Sequence, residues 1–425
     1  MFGVALFLFI VVAVIVIVHY IALAIFLTGI RRKTWAVPSE PFTPKTAVML
    51  ALRGADPFLH RCIEGLLRQD YPTDQYTVFL IVDHESDPAL PVVTEVVNRL
   101  NAANVGIIVV HEHLTTCSLK CNSLVYAVER LDPTYEAVAI LDADTRPHPS
   151  WLRELVEPLS DSRYAAASGH RWYLPPKTDV GSLVRYLWNA AAVVQLYLYK
   201  MAWGGALVLR RNVFHEGRLL ETWKKSFSDD MSVATTVRAV NGQTAFVPSL
   251  FMTNRETCGL HSFHRWVKRQ LLCAKLHHPA WHAIATQGLL ITAPLLAVIV
   301  LFFASLFFGQ WGAAVLCLCS FALYWGGVCG TLPLMERGIR RKLRERNEPL
   351  ERFSIRQTIK IFCMIPLTQA VYTSALIGVY FLKTVEWRGI WYEIGRDKTV
   401  KLVEYIPYSE VENNPSPSEH ESILS

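Results

Sequence analysis

Long apolar runs mark both ends of the chain. The first covers residues 2–28, and three more follow at 284–308, 311–334 and 361–382. An apolar segment of about 20 residues is long enough to cross a bilayer as a helix. No basic residue precedes the first run, which is also longer than the apolar part of a signal peptide. The pattern predicts an uncleaved transmembrane anchor within residues 1–30 and a second transmembrane region near the C-terminus.

Residues 46–276 show a different pattern, in which short apolar runs alternate with stretches of helical periodicity. The strand-like runs cover residues 47–52, 76–82, 105–110 and 138–141. Such alternation predicts an α/β domain of the Rossmann type, built on a parallel sheet with crossover helices. Ligands of such domains bind at the carboxyl ends of the strands.

Two further stretches mix apolar and polar residues. Residues 179–201 predict an amphipathic helix that lies on other structure or in the membrane interface. Residues 261–276 predict a basic, tryptophan-bearing helix at the membrane surface, and they close the domain. Basic residues also cluster at 31–33 and in the loop 336–360, and basic loops favour the cytoplasmic side. The domain and this loop are therefore predicted to be cytoplasmic.

In the C-terminal transmembrane region, 284–383, the sequence allows two topologies for the last apolar run. If residues 361–382 cross the membrane, span parity places the following residues outside. The basic residues after the run favour the inside, so it either spans the membrane or re-enters it. Residues 384–425 are predicted to be a tail that is disordered from about residue 408, where acidic residues, prolines and serines dominate.

Composition and charge narrow the class of protein. A hydrophobic share of 52% is high for a wholly soluble protein. The net charge of +6 does not indicate nucleic-acid binding, because much of it lies in the loop between two apolar runs. The nine cysteines include no C-x-x-C pair, so packed, reduced thiols are predicted rather than a zinc site.

Acidic side chains follow two of the predicted strands. Asp142 and Asp144 come directly after the buried run 138–141, and Asp83 and Asp87 follow the second strand. Two hard oxygen donors so spaced suit a divalent cation that is also held by phosphate oxygens. A solvated turn is the simpler explanation of such a pair. Its position after a buried strand favours the metal.

A third acidic group lies at Ser228, Asp229 and Asp230. Serine and aspartate both cap helices, so capping of the helix that follows is the simpler explanation. Ser228 alone is sufficient to cap this helix. The two acids next to it therefore indicate a catalytic or binding role.

The order of these motifs resembles membrane-bound family 2-like glycosyltransferases, most closely the ceramide glucosyltransferase group. The matching segments are LALRGADPFL, QDYP, IVDHESDPA, LDADT, SDDMSV and FHRW, with EWRGIWY after the last apolar run. The likeness covers residues 48–392, and the ordered set is far more specific than any one motif. It implies a GT-A-like nucleotide-sugar domain with N-terminal and C-terminal transmembrane helices. The expected location is the inner membrane of a bacterium, or the Golgi or endoplasmic reticulum of a eukaryote.

The resemblance also implies roles for individual residues. Asp230 would be the general base that deprotonates the acceptor hydroxyl, and Asp142 and Asp144 would hold Mg²⁺ or Mn²⁺ on the donor diphosphate. A UDP-sugar is the favoured donor, because a carboxylate such as Asp83 accepts the imide hydrogen of uracil. The residues implied to contact the nucleotide-sugar are Arg53, Asp83, Asp87, Lys120 and Asp142. The residues implied to close over the donor and acceptor are Asp229, Arg265 and Trp266.

One position departs from the family pattern. Ser262 stands where the family carries Gln or Arg, a residue that helps to hold the pyrophosphate in related synthases. Either His261, His264 or a nearby cation replaces it, or the contact is lost. Interfacial anchoring is the alternative role for Arg265 and Trp266.

The implied reaction is inverting transfer of a sugar to a membrane lipid, such as a ceramide-like or glycerolipid hydroxyl. A processive polysaccharide synthase or a polyprenyl-phosphate sugar transferase is the alternative. Polymer export needs a polar channel, which a few strongly apolar spans do not offer. A glycoside hydrolase built on Asp142 and Asp230 leaves the other acids without a purpose. A membrane scaffold with a degenerate domain does not account for the retention of every expected acid.

Overall fold

A seven-stranded mixed sheet forms the centre of the domain in the computed structural model, which describes residues 1–348 and 350–413. Its strands are β1 (Thr46–Leu52), β2 (Tyr76–Val82), β3 (Val105–Val109), β4 (Ala137–Leu141), β5 (Tyr164–Tyr173), β6 (Leu207–Arg210) and β7 (Gln243–Asn254). Their spatial order is β3-β2-β1-β4-β6-β5-β7. β1 to β4 run parallel, as the sequence predicts, whereas β6 is antiparallel to both of its neighbours.

The helices up to residue 277 are the membrane anchor α1 and the helices that flank the sheet. In chain order they are α1 (Phe2–Gly29), α2 (Leu59–Leu67), α3 (Ala89–Leu100), α4 (Leu119–Glu129), α5 (Trp151–Val156), α6 (Val180–Leu198), α7 (Arg211–His215), α8 (Leu219–Trp223), α9 (Val233–Ala239) and α10 (Leu260–His277), with a 3-10 turn at Glu157–Ser160. Val48 and Leu50 of β1 pack into the core under α2, α3 and α5. Ala47 and Met49 pack into a second core under α4 and α7 to α9. β1 is thus buried on both faces, as expected of a central parallel strand.

Within the described residues, four helical segments are long and apolar enough to cross a membrane: Phe2–Gly29, Trp281–Phe307, Trp311–Arg344 and Ile355–Gly378. They correspond to α1, α11 (Trp281–Phe307), α12 (Trp311–Glu345) and the pair α13 (Ile355–Cys363) and α14 (Ile365–Gly378). α13 ends at Cys363 and α14 starts at Ile365, with Pro366 in the first turn of α14, where proline is well tolerated. Phe303 and Phe307 are 64% and 82% exposed. Large apolar side chains on the outside of long helices fit a membrane protein.

α6 and α10 form a layer between the sheet and the membrane helices. α6 packs against α1, α10, α14 and β5, and α10 packs against α14. Val193 of α6 and Val267 and Leu272 of α10 are completely buried. Because these side chains are removed from water by protein, both helices connect the domain rigidly to the membrane region.

The residues after α14 form a second, smaller sheet. β8 (Thr384–Trp387), β9 (Ile390–Ile394) and β10 (Val400–Leu402) are antiparallel, and α15 (Tyr408–Asn413) follows them. The predicted tail over 384–425, disordered from about 408, is therefore corrected for residues 384–413. The remainder of that prediction, at 414–425, lies outside the described residues.

Contacts with the domain account for this order. The backbone N–H of Leu402 donates to the carbonyl of Thr115 at 2.7 Å. The ring of Tyr408 lies so close to Gly54 that a Cβ there would come within 2.6 Å of it. Val411 packs in the same way against Gly389. A polar composition conceals these few anchoring side chains, which is why the sequence pattern predicted disorder.

Candidate active site

A cavity of about 280 Å³ opens at the carboxyl ends of β1, β2 and β4. It extends from Asp83, next to β2, past Asp142, next to β4, to Trp188 on α6 and Ile284 on α11. One part of the cavity is therefore lined by charged groups. The other part is apolar and reaches the first membrane helix after the domain.

Asp142 and Asp144 converge on one guanidinium. Arg171 on β5 has its Nη2 3.2 Å from Asp142 Oδ2 and 3.4 Å from Asp144 Oδ2. Lys120 donates to Asp142 Oδ1 at 2.6 Å. Burial raises the pKa of Asp142, but Lys120 and Arg171 outweigh burial and hold this pKa below its ordinary value. Asp142 is therefore ionised at neutral pH.

Lys120 connects this acidic pair to the second acidic group of the site. The Ser118 hydroxyl caps α4 and so fixes Lys120 in the first turn of that helix. Lys120 Nζ lies 2.6 Å from Asp142 Oδ1 and 3.0 Å from Asp229 Oδ2. Burial lowers the pKa of Lys120, and the two carboxylates raise it above its ordinary value, so the ammonium persists. Gly204 leaves the necessary space, since a Cβ there would lie 2.3 Å from Asp229 Oδ2.

Asp230 lies in the same cavity, but its surroundings differ from those of Asp142. The Ser228 hydroxyl donates to its Oδ1, and the Gly204 N–H donates to its Oδ2 at 3.1 Å. Burial, followed by the charge of Asp229, raises the pKa of Asp230 to about 6. A carboxylate of this pKa releases and takes up a proton near neutral pH, as a general base must.

Asp83 lies beneath a cluster of side chains at the opposite end of the cavity. Arg53 Nη1 and the Tyr405 hydroxyl both donate to its Oδ2, at 2.5 Å and 3.1 Å. The His113 ring stacks on Tyr405 with 3.8 Å between centroids, and its Nε2 is 3.4 Å from Asp83 Oδ1. Burial raises the pKa of Asp83, but His113 and Arg53 hold it below its ordinary value.

Asp87, the second predicted nucleotide contact after β2, lies outside the cavity. Its carboxylate accepts from the backbone N–H of Gly54 at 3.0 Å and of Ala89 at 2.8 Å. Asp87 therefore fixes the backbone where β1 and β2 end. Of the two acids, it is Asp83 that lines the cavity.

α10 brings Trp266 into the cavity and directs Arg265 elsewhere. Trp266 packs edge-on against Trp188 with 5.3 Å between ring centroids. Arg265 lines a neighbouring groove together with Lys268. Arg269, one helical turn further along, lines both the cavity and the groove. Trp266 thus lines both the cavity and the groove, whereas Arg265 lines the groove alone.

Sequence reasoning did not single out three arginines of this site: Arg171, Arg269 and Arg388. Arg388 lies in the turn between β8 and β9 and donates to both carboxylate oxygens of Asp56, at 3.0 Å and 2.8 Å. Its carbonyl accepts from Arg53 Nε at 3.0 Å. The EWRGIWY segment was a usable signal for Arg388. No local pattern marks Arg171 or Arg269, since each depends on which face of its element meets the cavity.

The acidic pair fits a divalent cation that arrives with phosphate ligands. No group of three His, Cys, Asp or Glu side chains that could hold a metal alone occurs in the part of the chain that the structure describes. Asp142 and Asp144 nevertheless lie together at one cavity, where they share Arg171 and Asp142 also pairs with Lys120. Mg²⁺ commonly binds through one or two carboxylates together with substrate phosphates. The residues present therefore suit Mg²⁺ or Mn²⁺ held jointly with a nucleotide donor.

Comparison with known families identifies the chemistry. The family model of glycosyl transferase family 21 matches residues 11–400. The chain belongs to this family. It is thus a glycosyltransferase, and the resemblance drawn from the motifs is confirmed.

Individual relatives support the same assignment. Ceramide glucosyltransferases of Gibberella zeae and Pyricularia oryzae are 35% and 34% identical to this family 21 chain over 54 and 61 residues. These matches span 13% and 14% of the chain and only 10% and 12% of the relatives. A mannosyltransferase from Pyrobaculum calidifontis, solved with GDP-Man and Mn²⁺, is 19% identical with a TM-score of 0.53, over 80% of this chain and 99% of that one. The GT-A-like fold is thereby confirmed.

Removal of the Lys120 ammonium is expected to destabilise the enzyme. Lys120→Met leaves the buried Asp229 without its ion pair and Asp142 with Arg171 alone, and breaking a buried pair in this way costs about 3–5 kcal/mol. Unfolding in detergent at pH 7.5 measures the loss.

Lys224→Met is the matched control. Lys224 forms more exposed ion pairs with Glu129 and Glu221, at 2.9 Å and 3.1 Å. Exposed pairs contribute at most about 1 kcal/mol. A Lys120→Met loss no larger than that of the control would contradict the bridging role.

Proposed function

We propose that this family 21 enzyme transfers one sugar from a UDP-sugar to the hydroxyl of a membrane lipid, with inversion at the anomeric carbon. One observation carries the proposal. The cavity that holds Asp142, Asp144 and Asp230 continues into an apolar part lined by Leu196 of α6 and Ile284 of α11. A donor is best accommodated at the charged end and an acyl or sphingoid chain at the apolar end.

The donor nucleoside is assigned to the end of the cavity near Asp83. A carboxylate there accepts the imide hydrogen of uracil, and Arg53 supplies charge next to it. The Tyr405 hydroxyl now donates to the same carboxylate. Donor binding at Asp83 therefore includes a displacement of Tyr405.

The chemical step is a single displacement. The acceptor oxygen forms a bond to the anomeric carbon while the bond from that carbon to the diphosphate breaks, and UDP leaves. The proton of the acceptor hydroxyl passes to Asp230. Asp142 and Asp144 would hold a Mg²⁺ or Mn²⁺ ion, which would supply Lewis-acid stabilisation of the diphosphate. Lys120 and Arg171 hold these carboxylates in position, and Asp229 keeps the pKa of Asp230 raised.

The raised pKa of Asp230 favours a hydroxyl acceptor over a polyprenyl phosphate. A phosphate is ionised at neutral pH and needs no base to become a nucleophile, whereas a lipid hydroxyl does. Trp266 and Trp188 offer flat apolar surfaces beside the reacting groups. Polymer export would need a polar channel that these apolar helices do not supply.

We further propose that the domain is cytoplasmic and that α13 and α14 re-enter the membrane rather than cross it. Just after α12, Arg346 donates to the carbonyl of Phe251 on β7 at 2.6 Å. After α14, Arg388 pairs with Asp56 of the same domain. Both ends of the α13–α14 segment thus meet the domain side. The basic loop between α12 and α13 favours the cytoplasm for that side.

Asp230→Asn is expected to lower kcat by about 10²–10⁴-fold, since the amide keeps the shape and removes the proton acceptor. In the wild-type enzyme the base must be deprotonated, so kcat should fall as pH drops below about 6. Steady-state assays across pH 5–8 test both effects. Asp74→Asn, an exposed acid far from the cavity, is the control. A near-wild-type rate for Asp230→Asn would assign the base to another residue.

Turnover is expected to stop in excess chelator and to return on addition of Mg²⁺ or Mn²⁺. Without the cation, the negative charge of the diphosphate leaving group lies beside two carboxylates in one cavity and is not neutralised. Asp144→Asn should raise the metal concentration needed for half-maximal rate. Full activity in chelator would remove the metal from the mechanism.

The proposed reaction predicts a lipid product with a single sugar. Purified enzyme is supplied with radiolabelled UDP-sugars and a mixture of ceramides, diacylglycerols and polyprenyl phosphates. The label should enter the chloroform phase as one discrete glycolipid, and mass spectrometry then identifies sugar and lipid. Water-soluble product of mixed length would instead indicate a polysaccharide synthase.

A further inference from the structure

Arg269 carries a charge that the surrounding protein does not neutralise. It is half-buried on α10 and lines both the cavity and the adjoining groove. Its contact with the described residues is the face of the Trp387 ring, 5.2 Å from the guanidinium carbon. No hydrogen bond or ion pair joins Arg269 to any described residue.

The electrostatic surroundings make this lack of a partner costly. Burial lowers the pKa of Arg269 to about 10, and Arg388 and Arg171 act in the same direction. The side chain still remains charged at neutral pH. Among the carboxylates around it, Asp142 pairs with Arg171 and Asp56 with Arg388, while Glu386 lines the same groove and raises the pKa of Arg269 without forming an ion pair with it. A charge removed from water without a counterion is unfavourable, so the site is prepared for an anion from outside the protein.

The position of Arg269 on α10 indicates which anion. Ser262 and Arg269 are separated by seven residues, close to two turns of an α-helix, and therefore share one face of it. Both lie in the groove beside the reaction cavity. Ser262 occupies the position at which the family motif carries Gln or Arg. Arg269 restores a cationic donor two turns further along the same face.

We propose that Arg269, together with Arg388, binds the diphosphate of the nucleotide donor in place of the side chain that Ser262 lacks. This inference rests on the proposed function. A planar guanidinium binds phosphate oxygens through two parallel hydrogen bonds, and two arginines that line one cavity can share one diphosphate. The same pair then stabilises the leaving UDP as its negative charge increases. Arg269 is in this view a diphosphate-binding residue and has no part in the proton transfer.

Binding measurements with UDP and with uridine separate a phosphate contact from a general defect. For the purified full-length enzyme in nanodiscs, Arg269→Gln should weaken UDP binding by about 10–100-fold, the value of a charged hydrogen bond. Uridine affinity should not change, because uridine carries no phosphate. Arg269→Lys should recover part of the UDP affinity, since it retains charge without the planar fork.

Two controls accompany the variants. Lys275→Gln lies on the same helix, where Lys275 donates to the Val379 carbonyl away from the cavity, and it should leave both affinities unchanged. The thermal unfolding midpoint of ligand-free Arg269→Gln should equal or exceed that of the wild type, because an uncompensated charge is removed. A structural role for Arg269 would lower it.

Each remaining outcome has a defined meaning. Unchanged UDP affinity in Arg269→Gln, with normal wild-type binding, overturns the inference and leaves the proposed function intact. An equal loss of UDP and uridine affinity also overturns it. Loss of binding to phosphatidylglycerol vesicles alone, relative to phosphatidylcholine, reassigns Arg269 to a lipid phosphate. If the wild-type enzyme neither binds UDP nor uses UDP-sugars, the proposed function itself is contradicted.

Discussion

The active site depends on one ammonium group, that of Lys120, held between carboxylates from distant parts of the chain. Asp142 follows β4 and Asp229 precedes α9, and Lys120 lies 2.6 Å and 3.0 Å from them. Without a cation between them, two partly buried like charges repel strongly in a medium of low dielectric constant. The ion pairs therefore set the separation of the two loops. Asp230, next to Asp229, takes its position from the same bridge.

This arrangement gives neighbouring carboxylates opposite protonation behaviour. Asp142 contacts Lys120 and Arg171 directly, so its pKa is depressed and it keeps its charge for cation binding. Asp230 lies behind Asp229 and is half-buried, so its pKa is raised to about 6. In the proposed mechanism, one cavity thereby contains an ionised metal ligand and a titratable base, and distance from the cations separates the two roles.

The membrane helices and the C-terminal sheet complete the same cavity. Ile284 of α11 lines its apolar part, and Arg388 of the β8–β9 turn adds a positive charge to its lining. The domain alone therefore does not form the whole site. Its substrate specificity depends on segments that lie more than a hundred residues beyond the strand-end acids in the chain.

The sequence by itself determined the parallel strands, the acids at their carboxyl ends and the apolar runs. Local patterns suffice for these, because a buried parallel strand needs a continuous apolar segment and its end must then face a common edge. Asp83 and Asp142 were identified in this way, Asp230 was identified from the adjacent acids beside Ser228, and all three line the cavity. The family and the glycosyltransferase activity followed from the order of the same motifs.

Only the tertiary structure decided which cations meet these acids. Arg171, Arg269 and Arg388 come from a strand, a helix and a turn that no periodicity links, so their convergence depends on packing of distant elements. The same holds for residues 384–413, where a few side chains such as Tyr408 and Val411 anchor a polar segment against glycines of the domain and of its own sheet. Sequence patterns report the burial of long segments. They do not report long-range electrostatic pairing, which arises once the chain has folded.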